Sequence, residues 1–208
     1  MFILGGARSG KSRFAQHMAK KLGEKVLFVA TGEPLDEEMV ARIEEHKRTR
    51  PRNWRTLEID VQVGQKLKGQ IGGAEIVLLD CLSLLVSNVV LTSTLPVILR
   101  EQSDRRISSS LRSELRLTRV NSMKNLEKID FAAAEKRVVD EIDVLIKCID
   151  KHKGIFIVVS NEVGLGLVPE NKLGRIYRDL LGKANQLLAQ HADEVYFMAS
   201  GIPVRIKG

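Results

Sequence analysis

The fold of this chain is decided by residues 5–12, which read Gly5-Gly6-Ala7-Arg8-Ser9-Gly10-Lys11-Ser12. This stretch, the phosphate loop below, fits the pattern G-x-x-x-x-G-K-[ST] at every fixed position. In such loops the backbone N–H groups point inward at an anion, and glycine lets the backbone approach phosphates without a Cβ clash. The sequence therefore predicts a nucleoside triphosphate as ligand.

The residues on either side of the phosphate loop are in the order that this mechanism requires. Residues 2–4 are an apolar run suited to a buried strand, and Phe14, Met18 and Leu22 then recur at helical spacing before the stop signal Gly23. A glycine turn before a helix with an ordinary surface lysine is the alternative. The complete motif between a strand and a helix disfavours that alternative.

Further apolar runs predict an α/β fold of the P-loop NTPase type. Four of them are rich in Val, Ile, Leu and Phe with little alternation, which is typical of strands buried on both faces, namely residues 25–29, 75–79, 154–159 and 194–198. Helical patterns separate the strands, at residues 36–47, 82–91, 131–151 and 171–190. This alternation predicts a mostly parallel, doubly wound sheet with helices on both faces. A turn at 200–203 adds a C-terminal antiparallel edge hairpin, with its second strand at 204–206.

Length and composition favour a single domain spanning residues 1–208. The hydrophobic content of 44% and charged content of 28% are ordinary globular values. No apolar run approaches the length of a membrane span, and the N-terminus lacks the basic region of a signal peptide. Cys81 and Cys148 do not have metal-site spacing, so we expect reduced thiols and a cytoplasmic protein without membrane contact.

The net charge of +7 is weak information about partners. About half of the excess lies in residues 92–128, which hold eight Lys or Arg against four Asp or Glu and show no clear strand pattern. A basic balance is compatible with nucleic acid, with phosphate-rich small ligands or with a merely basic surface.

Ligands of open parallel sheets bind beyond the carboxyl ends of the strands, which directs attention to Asp80. Residues 76–79 are apolar and end in this aspartate, which is the form of the second motif of nucleotide sites. In such sites the carboxylate and the loop hydroxyl, here Ser12, hold Mg²⁺ directly or through water. The alternative is that Asp80 simply caps the following helix.

Glu162 follows another predicted strand and has two interpretations. It could position a hydroxyl nucleophile or act as a base. It could equally be a carboxylate that caps the glycine-rich turn at residues 160–166. A guanine-nucleotide switch is disfavoured, because Asn171-Lys172-Leu173-Gly174 lacks the aspartate of Asn-Lys-x-Asp and Asp80-Cys81-Leu82-Ser83 lacks the glycine of Asp-x-x-Gly.

His46 lies on a predicted helix, where Met39, Ile43 and His46 fall on nearly one face. A histidine in such a stripe is commonly a packed core residue. Four cations follow within six residues, however, and Pro51 ends the helix: Lys47, Arg48, Arg50 and Arg52. A neutral imidazole beside such cations could attack phosphorus while they balance the charge on its oxygens.

Several stretches together resemble one family, the bifunctional adenosylcobinamide kinase / adenosylcobinamide-phosphate guanylyltransferases of cobalamin biosynthesis. They are GGARSGKS at 5–12, EEHKRTRPRNWRTLE at 44–58, LLDCLSLLVSN at 78–88, VVSNEVGLGLVPEN at 158–171 and the C-terminal stretch 174–207. The resemblance covers about residues 1–91 and 130–207. Residues 92–128 are unmatched and look like an insertion.

This resemblance implies two reactions at one site. The first phosphorylates the hydroxyl of adenosylcobinamide with ATP or GTP, and the second transfers GMP from GTP to that phosphate through a guanylylated histidine, which by position is His46. Lys11 and Mg²⁺, held by Ser12 and Asp80, act on the phosphates. The implied nucleotide contacts are Gly5 to Ser12, Thr31, Gly32, Glu33, Lys47, Arg48, Thr49, Arg50, Glu58 and Asp80. Glu33 and Glu58 are suited to accept from the guanine N–H edge.

The resemblance also suggests a homo-oligomer, specifically a trimer. The rival function is a nucleic-acid-stimulated P-loop ATPase, suggested by the isoelectric point of about 9.5. That function needs stacking aromatic residues on a basic face, but the chain has only one Trp, two Tyr and six Phe, most of them in strand or helix patterns. We therefore expect small-molecule substrates and no nucleic acid.

Overall fold

The computed structural model describes residues 1–33, 37–93 and 130–208. These residues form seven strands and six helices. The strands are β1 (Phe2–Gly5), β2 (Val26–Ala30), β3 (Arg55–Glu58), β4 (Ile76–Asp80), β5 (Ile155–Val159), β6 (Val195–Ala199) and β7 (Ile202–Lys207). The helices are α1 (Lys11–Leu22), α2 (Glu37–Thr49), α3 (Val63–Leu67), α4 (Leu82–Ser93), α5 (Phe131–Lys151) and α6 (Lys172–His191).

The strands form one sheet in the order β3-β2-β4-β5-β1-β6-β7. Strands β1 to β6 are parallel to their neighbours, and only β7 runs antiparallel, against β6. The predicted doubly wound sheet with a C-terminal antiparallel hairpin is confirmed. Because β1 lies between β5 and β6, the phosphate loop that follows it is flanked by the segments that follow those two strands.

Alternate residues of the strands feed two hydrophobic layers. In β1, Phe2 and Leu4 face the layer built with α3, α4, α5 and α6, whereas Ile3 faces the opposite layer with α1. Phe28 of β2 and Trp54 also belong to the layer of α1. These strands read as continuous apolar runs because both faces of the sheet are covered.

Two short elements were not predicted from the sequence. Strand β3 reads Arg-Thr-Leu-Glu and is an edge strand with mostly exposed side chains, so it has no apolar run to detect. Helix α3 has five residues, which is too few for a helical period to show.

The C-terminal hairpin has a tighter turn than the predicted one. Strand β6 ends at Ala199 and β7 begins at Ile202, so the loop is only Ser200 and Gly201, with φ values of 50° and 86°. Two-residue loops with positive φ match the twist of the flanking strands. Strand β7 is correspondingly longer than predicted.

Parts of two predicted segments lie outside the described residues. They are the start of the helix predicted from 36 and the insertion-like segment 92–128, of which the structure describes only Thr92 and Ser93, at the end of α4. The single-domain organisation stays a prediction. In the described ranges, no helix combines the length and the apolar composition that a bilayer span would need.

Candidate active site at the carboxyl edge of the sheet

The phosphate loop connects β1 to α1 and is open to solvent at Gly6, Ala7 and Arg8. Gly5 has a φ of 153°, and a Cβ there would lie 2.6 Å from the carbonyl oxygen of Met198. Only glycine fits this position. The neighbouring strand β6 thus sets the path of the loop, while Gly10 immediately precedes the first turn of α1.

Lys11 extends into the phosphate loop. Its Nζ donates to the carbonyl oxygen of Gly6 at 2.6 Å and lies 3.5 Å from Ser9 Oγ. Burial lowers the pKa of Lys11, while the nearby Cys81 and Asp80 oppose this shift. The buried ammonium therefore lies where loops of this type receive phosphate oxygens.

Asp80 ends β4 beside the phosphate loop. Its Oδ2 is buried without a hydrogen-bond partner. Burial raises the pKa of Asp80, and His46, Ser12, Lys11 and Arg50 oppose that shift. The carboxylate therefore faces the site, which favours the interpretation as a site residue over that as a cap of α4.

His46 faces Asp80 from α2. Its Nδ1 lies 3.7 Å from Asp80 Oδ2, and its side chain is 44% exposed. Met39, Ile43, His46 and Arg50 are the half-buried positions at helical spacing, so this face of α2 is turned toward the protein. Because Nδ1 faces the carboxylate, Nε2 is the ring nitrogen that remains for a nucleophilic attack.

A cleft of about 400 Å³, the nucleotide cleft below, opens between the end of α2 and β3, lined by Lys47, Arg50, Pro51, Arg52, Trp54, Thr56 and Glu58. Arg50 stacks over Phe28 at 3.5 Å and donates from Nη1 to Thr56 Oγ1 at 2.8 Å. Lys47 Nζ lies 3.5 Å from Glu58 Oε1. Burial lowers the pKa of Arg50. The cleft thus combines fixed cations with one carboxylate.

Other expected nucleotide contacts lie elsewhere. Thr31 is fully buried, and its hydroxyl is taken by the backbone of Cys81. Glu33 lies close to Asp60, whose pKa it influences, and does not line the nucleotide cleft. Gly32 lies behind α2, where a Cβ would be 3.6 Å from the side chain of Ile43. Arg48 and Thr49 are exposed on the last turn of α2, where Thr49 Oγ1 donates to the carbonyl oxygen of His46 at 3.2 Å.

Glu162 serves the turn that follows β5. Its Oε1 accepts from the backbone N–H of Gly164 at 2.7 Å, which is the turn-capping interpretation. Its own N–H donates to the carbonyl oxygen of Gly5 at 2.9 Å. The segment after β5 is therefore attached to the phosphate loop.

Sequence reasoning missed a polar network behind Asp80. Asn161 donates from Nδ2 to Ser83 Oγ at 2.9 Å, and Asn185 donates from Nδ2 to the carbonyl oxygen of Asn161 at 3.0 Å. Ser160 donates to Asn185 Oδ1 at 2.7 Å. Ser160 and Asn161 directly follow a predicted strand, and this position could have marked them as site residues. Asn185 lies in the middle of a helix, where no sequence pattern marks it.

The donor set suits Mg²⁺. Ser12 and the unpartnered Oδ2 of Asp80 are hard oxygen donors on adjacent elements. Within the described residues there is no group of three or more His, Cys, Asp or Glu that could hold a metal alone. Mg²⁺ is commonly held by one or two protein oxygens together with substrate phosphates and water, so the residues present fit this ion.

Comparison with known proteins identifies a matching enzyme family and three similar proteins. Residues 1–206 match the family model described as cobinamide kinase / cobinamide phosphate guanyltransferase. The chain is 35% identical over 209 residues to the bifunctional adenosylcobalamin biosynthesis protein CobU of Salmonella typhimurium, covering 100% of this chain and 99% of that protein. The Escherichia coli CobU is 35% identical over 207 residues, with coverage of 100% and 99%. The corresponding CobP of Pseudomonas aeruginosa is 32% identical over 206 residues, with coverage of 99% and 96%.

Proposed function

We propose residue roles from the premise that this chain belongs to the cobinamide kinase / cobinamide phosphate guanyltransferase family and is an enzyme of both activities. One observation carries the proposal: His46 Nδ1 on α2 lies 3.7 Å from Oδ2 of Asp80, a carboxyl whose pKa Ser12 and Lys11 of the phosphate loop lower. A nucleophile, a metal ligand and a phosphate-binding loop thus meet at one edge of the sheet. Because the chain belongs to this family, the kinase and guanyltransferase function replaces the alternative hypothesis of a nucleic-acid-stimulated ATPase.

In the kinase half-reaction the phosphate loop holds ATP or GTP while the hydroxyl of adenosylcobinamide attacks the γ-phosphorus. Backbone N–H groups of residues 5–12 and the Lys11 ammonium bind the phosphate oxygens. Ser12 and Asp80 would hold Mg²⁺, which when bound neutralises charge on the phosphates. This step needs no covalent bond to the protein.

In the guanylyltransferase half-reaction Nε2 of His46 attacks the α-phosphorus of GTP and pyrophosphate leaves. Asp80 Oδ2 faces Nδ1 at 3.7 Å, which leaves Nε2 as the attacking nitrogen. Lys47 and Arg50 balance the charge that builds up on the α-phosphate oxygens. The phosphate of adenosylcobinamide phosphate then attacks the guanylylated histidine, which releases neutral imidazole and forms adenosylcobinamide-GDP.

Glu58 is the residue that we assign to the guanine base. It lines the nucleotide cleft, and its carboxylate can accept from the paired N–H groups of guanine. Glu58 now forms an exposed ion pair with Lys47, and replacing that ion pair by hydrogen bonds to guanine costs little free energy. Glu33 is a weaker candidate because it does not line the nucleotide cleft.

Assembly and location complete the proposal. We propose a homo-oligomer, specifically a trimer, on the family resemblance, with small-molecule substrates and no nucleic acid or membrane partner. Both cysteines of the chain are free, which is typical of a reducing compartment and supports a cytoplasmic location.

Labelling with GTP tests the assignment of His46. The protein is incubated with α-labelled GTP and Mg²⁺ and then denatured, and label that is lost in acid but survives base indicates a histidine phosphoramidate. We expect His46→Ala to abolish this label and guanylyl transfer while adenosylcobinamide phosphorylation persists. Lys11→Ala should impair both reactions, because both use the phosphate loop.

The other three histidines are the matched controls for this experiment. His17, His152 and His191 lie on α1, just after α5 and at the end of α6. Each should be replaceable by alanine with labelling retained. The assignment is wrong if His46→Ala still takes up label, or if one of the three controls removes it.

A further inference from the structure

We propose that the corrinoid ring of the acceptor substrate docks on an apolar surface on the α4–α6 side of the site. This acceptor surface consists of the loop residues Leu165, Leu167 and Val168 and the adjoining cleft between α4 and α6. The inference rests on the proposed function, since it concerns the second substrate of that site.

The loop exposes three large apolar side chains in succession. Leu165 is 81% exposed, Leu167 is 96% exposed and Val168 is 65% exposed. Exposed apolar residues that cluster, unlike scattered ones, mark binding surfaces. Leu165 and Leu167 thus retain most of their apolar surface for burial by a ligand.

Hydrogen bonds hold this loop beside the site. At its start, Glu162 N–H donates to the carbonyl oxygen of Gly5 at 2.9 Å, and Gly166 N–H donates to that of Val163 at 3.2 Å. At its end, Arg175 Nη1 donates to the carbonyl oxygen of Pro169 at 3.0 Å. The apolar side chains are therefore presented by a loop that is attached to the phosphate loop.

A cleft of about 280 Å³ continues the surface between α4 and α6. Pro169 packs on Gly174, which lines the cleft, since a Cβ at Gly174 would lie 2.7 Å from Pro169 Cβ. The part of its lining that the structure describes is uncharged, with hydroxyl or amide groups beside apolar ones, and includes Ser87, Val90, Leu91, Leu173 and Tyr177. Tyr177 ties the cleft to the site because its hydroxyl donates to the carbonyl oxygen of Ser83 at 3.2 Å.

The acceptor surface and the nucleotide cleft lie on opposite sides of the sheet. Trp54, which lines the nucleotide cleft, packs in the layer of α1, whereas α4 and α6 pack in the other layer. Phosphoryl transfer places the attacking and leaving oxygens roughly in line on opposite sides of phosphorus. If the nucleotide binds on the α1 side of the sheet, the acceptor therefore approaches the phosphorus from the α4–α6 side.

The two surfaces also differ in charge as the two substrates do. The nucleotide cleft is lined by Lys47, Arg50 and Arg52, which suits a polyanion. Among the described residues that line the cleft between α4 and α6, none carries a charged side chain. A corrinoid ring carries methyl groups and neutral carboxamides, which match apolar side chains interspersed with hydroxyl and amide groups.

Steady-state kinetics of both substrates tests this assignment. Leu167→Ser removes apolar surface from the loop, and Ser87→Phe fills the cleft. We expect each to raise the KM for adenosylcobinamide about tenfold or more, with the KM for GTP and His46 labelling unchanged. A tenfold change in KM corresponds to losing part of the free energy that burial of one leucine side chain provides. Leu22→Ser, which changes an exposed leucine at the far end of α1, is the control and should alter neither KM.

The outcomes separate this inference from the proposed function. If the unaltered protein phosphorylates adenosylcobinamide but both variants keep its KM, the acceptor surface is wrong and the function stands. If the KM for adenosylcobinamide and the KM for GTP rise together, the surface serves the nucleotide and the inference is wrong. If Leu167→Ser dissociates an oligomer, the surface contacts a second copy of the chain and the inference is again wrong. If the unaltered protein does not phosphorylate adenosylcobinamide, the proposed function itself fails.

Discussion

Thr31 shows at the residue scale how a side chain serves a site that it does not contact. Its hydroxyl donates to the carbonyl oxygen of Cys81 at 2.7 Å and accepts from the Cys81 N–H at 3.0 Å. Asn88 in turn donates from Nδ2 to the Thr31 carbonyl oxygen at 2.9 Å. Because the Cys81 peptide follows Asp80 directly, Thr31 positions the carboxylate that faces His46.

We expect Thr31→Val to destabilise the protein by about 1–3 kcal/mol, because it leaves buried polar groups of Cys81 without a partner. Urea unfolding measures this change. Thr31→Ser keeps the hydroxyl and should lose less than about 1 kcal/mol. A larger loss in Thr31→Ser than in Thr31→Val would show that the methyl group and not the hydroxyl is what matters.

The thiol of Cys81 gives a prediction about pH. Burial, and then the charge of Asp80, raise the pKa of Cys81 to about 11. The thiol is therefore protonated at pH 8, and its thiolate forms only as the pH approaches that value. We expect iodoacetamide to leave Cys81 unmodified in the folded protein at pH 8 but to modify it readily after unfolding in urea. Rapid modification of Cys81 in the folded protein at pH 8, located by peptide mass, would contradict this.

At the scale of elements, the β6–β7 hairpin supports the phosphate loop. The Gly201 N–H donates to the carbonyl oxygen of Ser9 at 3.0 Å. A Cβ at Gly10 would lie 3.4 Å from the Gly201 Cα, so the turn and the loop are in contact. An antiparallel hairpin at one edge of the sheet thus helps to shape the nucleotide site.

Gly201→Ala should weaken both the turn and the loop. Its φ of 86° lies in the left-handed region, where a Cβ costs about 1–2 kcal/mol. We expect a loss of about that size in urea unfolding and a several-fold weaker affinity for GTP. Gly182→Ala is the control: it lies within α6 with nothing within 4 Å of the added Cβ, and should stabilise the protein by about 0.5–1 kcal/mol. If the Gly201→Ala variant is destabilised but its GTP affinity is unchanged, the hairpin does not help to shape the nucleotide site.

At the scale of the whole molecule, α3 closes one layer by docking on α5. The Glu141 carboxylate accepts from the backbone N–H groups of Gln62 and Val63, at 3.0 and 2.7 Å. Gly64 approaches the α5 backbone so closely that a Cβ would lie 2.6 Å from the carbonyl of Val144. The segment that leads from β3 back to β4 is therefore held against the core.

Gly64→Ala should destabilise the whole protein, because the added methyl group meets backbone and not a flexible side chain. Overpacking of this kind costs about 1–3 kcal/mol. Thermal or urea unfolding measures the loss, and GTP affinity at low temperature should be retained. Gly73→Ala, with nothing within 4 Å of its Cβ, is the control and should change stability little. A neutral Gly64→Ala would mean that α3 can move away from α5 freely.

The sequence by itself determined the features that depend on neighbouring residues. The phosphate loop is a local pattern of glycines and a lysine, and the buried strands are local apolar runs, so the doubly wound sheet and its nucleotide edge could be predicted. The tertiary structure decided what depends on residues distant in sequence. It placed His46 beside Asp80, assigned the Thr31 hydroxyl to Cys81, bound Glu162 to its own turn and formed β3 without an apolar run. These features could not be predicted from local pattern, because a hydrogen bond or an edge strand takes its partner from whichever segment the packing of the sheet brings next to it.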